Sequence, residues 1–268
     1  MSRAQVIRLR PRSAAAIALT SVVGVLAFGW PLIVSPDAAV AHNGDAPLIF
    51  ALLLPLVLGV VLAEVSEGGL DVKAVAMLGV LSAVGAVLRP MGAGAGGLET
   101  VFFMLVLAGR VFGPGFGFVL GITTLFASAL LTAGVGPWLP FQMLGAAWVG
   151  LGAGLLPRAQ GRAEVAMLAA YGAVSALLYG VALNFSFWPF TIQGEGSIAF
   201  VPGAPVLENL QRFMVFSVST SFGWDIGRAL TNVVLIGLTG RAVLGALRRA
   251  SRKAAFDTPV RFEERVPR

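Results

Sequence analysis

The sequence predicts an all-α, polytopic membrane protein: a transmembrane helix bundle of about eight spans. Of its 268 residues 57% are apolar and only 12% are charged, whereas soluble domains carry about 25% charged residues. The mean hydropathy is +0.87, more apolar surface than one soluble core of this size could hide. There are 34 glycines, a residue that membrane helices use where backbones approach closely.

A helix needs about 20 apolar residues to cross about 30 Å of hydrocarbon. The first such run is Ser13 to Val34 and the second Leu48 to Val65. A third, Val72 to Leu88, stops at Arg89-Pro90, and the fourth, Leu98 to Val111, is the shortest. Gly113 to Leu131, Pro137 to Leu156 and Ala163 to Phe187 follow. The eighth, Phe213 to Leu247, is broken in character around Gly223-Trp224-Asp225, and a long loop is expected between Trp188 and Arg212. The chain so divides into residues 1–70 (basic tail and two helices), a core over 71–250, and a basic tail over 251–268.

Charge placement fits this order. Cytoplasmic loops collect Lys and Arg, and alternation from the basic N-tail puts Lys73, Arg110, Arg158, Arg162 and the C-tail on the cytoplasmic side. Only Arg89 and Arg212 fall on the far side. The net charge of +6 is then a topology signal and a contact with anionic lipid, not a nucleic-acid footprint. A basic start, an apolar run and Ala39-Val40-Ala41 have the make-up of a signal peptide. The run is longer than a usual signal-peptide core, which favours a retained helix.

Several chemistries are excluded. The absence of Cys and the single His42 rule out disulfides and thiolate sites and argue against a His-based metal site. No phosphate-binding loop of the ATPase type occurs, and no nucleophile–base pair or metal-binding motif is found, so neither an enzyme nor a resident cofactor is expected.

Two patterns carry more. Gly113, Gly117 and Gly121 line one helix face, and Ala146, Gly150 and Gly154 repeat the spacing further on. Such stripes let helices pack with close backbone contact, here inside the bundle. On the extracellular side the mouths of the spans carry Trp138, Phe141, Gln142, Asn184, Trp188, Trp224, Asp225, Arg228 and Asn232. Asp225 and Arg228, three residues apart, can pair on one face that Asn232 extends. Aromatics alone would make an interfacial belt. The amides and charges beside them point to a small-molecule site, with rings enclosing the solute and polar groups bonding its edge. For the Asp225–Arg228 pair, a structural role and a ligand contact serve equally well.

From about Val72 to Arg249 the chain resembles the substrate-binding S component of energy-coupling factor vitamin transporters, of the actinobacterial type. The resemblance rests on Val111-Phe112-Gly113-Pro114-Gly115-Phe116-Gly117-Phe118, on Gly136 to Met143 and on Asp225 to Asn232. It implies a core of the third to eighth spans, a site open to the outside, and a vitamin-like substrate with cobalamin or another corrinoid favoured. It also implies partners: a transmembrane scaffold subunit and a pair of cytoplasmic ATPases. The family's small-residue docking motif has its nearest matches in Gly79 with Ala83, or Ser82 with Ala86. A self-sufficient secondary transporter and a ligand-free membrane assembly subunit are the rival readings.

Overall fold

The structure is a computed structural model that describes residues 11–29, 55, 57–59, 72–92, 95–192 and 196–254. It is all-α. The helices are α1 (Pro11–Phe28), α2 (Val72–Gly92), α3 (Phe102–Phe112), α4 (Pro114–Leu131), α5 (Leu139–Leu155), α6 (Gly161–Thr191), α7 (Val206–Thr220) and α8 (Phe222–Ala254), with a short 3₁₀ turn at Ala95–Gly97 before α3. Among the described residues six segments are long and apolar enough to cross a membrane, and Leu139–Leu155 is a shorter apolar helix. The protein is thus a multi-span helical membrane protein. Most of the second expected span and of both tails, with His42 and Ala39-Val40-Ala41, lies outside the described residues.

The bundle is built around α3, α4 and α5. The junction of α3 and α4 is a single residue, Gly113, at φ 110°, a conformation that side-chain-bearing residues rarely adopt. Pro114 then opens α4, where its missing N–H costs nothing. The Phe112 and Phe116 rings meet across this turn at 4.6 Å. On leaving it, Gly117 and Gly121 of α4 run against Gly150 and Ala146 of α5, and Gly154 meets Pro114. A Cβ on Gly117 would overlap the Gly150 carbonyl, and one on Gly109 of α3 would strike the same oxygen. The two stripes face each other, and three backbones converge on one glycine.

The fourth expected span is the short one. Its α-helix has only 11 residues, about 16 Å of rise, yet nearly every side chain on it is buried by protein. A helix so enclosed need not match the bilayer by itself. Around the centre, α2 lies on α4, and α6 pairs with α8. Helix α1 packs on α4, α5 and α6, burying Ser13, Ile17, Thr20, Gly24 and Phe28 along one face. There Phe28 touches Phe141 and Trp148, and the Trp148 indole donates to Ser21 Oγ at 3.0 Å.

One expectation needs correction. The eighth span does not begin at Phe213, and the loop before it is shorter than expected. Residues Val206–Thr220 form a separate helix, α7, and the chain breaks at Ser221 before α8 starts at Phe222. The reason is that α7 turns Asn209, Phe213, Phe216 and Ser217 inward and leaves Leu207, Met214 and Val218 exposed, a face distinct from that of α8. Phe213 and Phe216 join Trp188 and Phe200 in a second apolar cluster apart from the main core.

Candidate functional site

Charges gather at the bundle end formed by the start of α8, the end of α2 and the segment before α3. Arg228, in the second turn of α8, donates from Nε and Nη2 to Glu99 at 2.8 and 3.2 Å. Its Nη1 donates to Asp225 Oδ1 at 2.7 Å. The guanidinium also lies over the rings of Tyr179 and Phe102, 5.3 and 6.0 Å from their centroids, and the two rings meet edge-on at 4.7 Å. One cation therefore serves two carboxylates inside an aromatic wall.

Glycines make this arrangement possible. Gly96 and Gly97, both at positive φ, bring the turn before Glu99 against α8, where a Cβ on Gly97 would overlap the Trp224 carbonyl. Gly227 sits likewise on the Gly96 carbonyl, and a Cβ on Gly180 of α6 would occupy the place of the Asp225 carboxylate. The sequence gap of 129 residues between Glu99 and Arg228 is thus closed by small residues.

Several buried amides and hydroxyls of the bundle lack a full set of partners. Asn232 is fully buried; its Nδ2 donates to the Arg228 carbonyl at 3.1 Å, while its Oδ1 finds no partner. The carbonyl can only accept, which fixes which way the amide points. Asn184 Nδ2 and Ser128 Oγ are also buried and unpaired. Gln142 Oε1 accepts from Arg89 Nη2 at 2.9 Å, and the last turn of α2 lies against Leu98 and Glu99. Unpaired buried polar atoms cost about 1–3 kcal/mol each, so such groups ask for a partner: water or a solute.

Of the residues expected at the site, Asp225, Arg228 and Asn232 stand together on one stretch of α8. Gln142 is tied to Arg89, and Asn184 contributes an open donor. The aromatics divide differently. Phe141 is buried against Phe28 of α1, and Trp188 is buried in the α6–α7 cluster with its indole donating to the Ile198 carbonyl at 2.6 Å. Both hold helices together. Trp138 and Trp224 are exposed, as residues of an interfacial belt would be. Glu99, Phe102, Tyr179 and Arg89 complete the constellation and were not expected there. Glu99 and Arg89 are ionisable residues in apolar surroundings, a signal readable in sequence; the two rings carry none.

On α2, Gly79 and Ala83 are exposed, whereas Ser82 and Ala86 face inward. Ser82 Oγ shares a 2.7 Å hydrogen bond with Thr123 Oγ1. The second candidate docking pair is therefore spent inside the bundle. At the opposite end, Glu164 accepts from Arg110 at 2.9 Å and Arg248 at 2.7 Å, pinning α3, α6 and α8 together. Among the described residues no group of three His, Cys, Asp or Glu side chains could hold a metal ion.

Comparison of the chain with protein families, with curated proteins and with solved structures finds no match.

Proposed function

We propose that this protein is the membrane-embedded substrate-binding subunit of an energy-coupling factor importer, capturing a vitamin-like solute, with a corrinoid favoured, at the extracellular end of the bundle. The observation that carries this reading is the constellation of Glu99, Arg228 and Asp225 under Tyr179 and Phe102, with the unpaired amide oxygen of Asn232 one turn along α8 and an unpaired amide on Asn184 of α6. Rings and a few oriented polar groups are the usual make-up of a small-molecule site. The motif around Gly113 supports it too, because the glycine–proline turn that carries the resemblance stands at the centre of the fold. In this reading both termini are cytoplasmic, in a cell membrane, and a scaffold subunit with two ATPases supplies the energy. Gly79 and Ala83, exposed on α2, are the residues left for docking.

The test is to purify the chain from cells grown in rich medium and identify bound solute by visible spectrum and mass, then to record melting with added vitamins. A stoichiometric corrinoid, or another vitamin that raises the melting temperature, is the expected result. An empty protein that none of them stabilises sinks the proposal. A second reading draws on Asp225, a carboxylate 4% exposed inside a membrane bundle, a position that proton-coupled carriers use. Gradient-driven uptake by the chain alone in liposomes would establish that reading instead.

A further inference from the structure

Among the described residues, every buried or half-buried arginine is paired to a carboxylate except one. Arg110 and Arg248 rest on Glu164, Arg212 on Glu208, and Arg228 on Glu99 and Asp225. Arg89, half-buried in the last turn of α2, has only the neutral amide oxygen of Gln142. A guanidinium carries five N–H donors, and here one is engaged. The remaining donors stay with a full positive charge on the turn of α2 that abuts the Glu99 segment, where Thr100 Oγ1 donates to the Leu88 carbonyl and Gly92 lies against Leu98 and Glu99.

A second observation stands beside it. Helices α2 and α4 run side by side in the same direction, with Ser82 against Thr123 and Gly85 against Thr124. One turn beyond Thr124 on α4, Ser128 Oγ is fully buried without a partner. The end of α2 thus holds a cation with no carboxylate of its own and an amide that orients it, and the neighbouring helix carries a buried hydroxyl with no partner. That set is complementary to an anion, and charge-assisted bonds of this kind are about twice as strong as neutral ones.

We infer that Arg89 is the anion-recognising residue of the proposed solute site, and that the solute carries a carboxylate or phosphate group bound there with Gln142 holding the guanidinium in place. The inference rests on the solute-binding reading and adds to it a charge on the ligand.

The test uses the full chain in maltoside detergent and paired probes: biotin and biotinamide, pantothenate and panthenol, riboflavin phosphate and riboflavin. Thermal shift and equilibrium binding are recorded for the wild type, Arg89→Lys and Arg89→Gln, with the solute-free melting temperature of each variant as the check of folding. The expected result is that an anionic member binds about ten- to hundred-fold more tightly than its neutral partner. Arg89→Gln should abolish that preference and Arg89→Lys keep part of it. Equal binding of both members, or an acid preference that survives Arg89→Gln, overturns the assignment while leaving solute binding intact. Competition of the acid by added phosphatidylglycerol, with loss of both on Arg89→Gln, gives the guanidinium to a lipid phosphate and also overturns it. Binding of no probe and no corrinoid by the wild type, with no co-purified solute, removes the solute-binding reading and this inference together.

Discussion

Arg228 is the residue on which the charged end of the bundle depends, because it alone separates Glu99 from Asp225. Removing one partner of a buried ion pair costs roughly 3–5 kcal/mol, since the charge left behind is stranded. Arg228→Gln should therefore melt far below the wild type in detergent. Neutralising the carboxylates as well, in Glu99→Gln/Asp225→Asn/Arg228→Gln, should recover much of the loss. A triple variant no more stable than the single one would show that the guanidinium acts through its contacts with Tyr179 and Phe102 instead. At this scale the sequence is legible only over short distances. Asp225 and Arg228 share a helix face by spacing alone, and Asn232 continues it. Glu99 can be flagged as an ionisable group in an apolar segment, but no local rule connects it to Arg228. Trp188 shows the opposite limit: an aromatic near a span mouth reads equally well as belt, binding wall or core, and burial among Phe200, Phe213 and Phe216 decides for the last.

Helices make the pattern clearer. A stripe of small residues every four positions predicts close packing from the sequence, and Gly117 and Gly121 meet their counterparts Gly150 and Ala146. Leucine at Gly117 would press on a backbone carbonyl, which cannot move aside as a flexible side chain can. Overpacking of this kind costs roughly 1–3 kcal/mol and often more. Gly117→Leu should give little monodisperse protein on size exclusion. Gly237→Leu, at a position with open space around it, should behave as the wild type. Equal behaviour of the two would mean the α4–α5 contact is looser than described. The break before α8 shows in the sequence only as the interruption around Gly223-Trp224-Asp225, close to Ser221 where it falls. From Phe213 to Leu247 hydropathy is nearly continuous, and what ends α7 at Thr220 is a change in which face is buried. A running average of hydropathy carries no information about facing.

For the molecule as a whole, composition settles the class, since so apolar a chain has no soluble alternative. Which surface meets a partner needs the fold. If the proposed importer role holds, large substitutions on the exposed side of α2, such as Gly79→Leu with Ala83→Leu, should leave melting unchanged and abolish co-purification of a co-expressed scaffold subunit and its ATPases. Ser82→Leu should instead lower stability, because Ser82 bonds to Thr123 within the bundle. Undiminished recovery of the complex with Gly79→Leu/Ala83→Leu would move the docking surface elsewhere. The convergence of Gly109, Gly117 and Gly150 has a mechanical consequence. Where backbones touch with no side chain between them, there is no soft layer to shear, and a shift of one residue along an axis would drive Cα atoms over a ridge of carbonyl oxygens. Helices α3, α4 and α5 therefore form a stiff keel, and any rearrangement that the proposed uptake calls for must be carried by the helices hung on it.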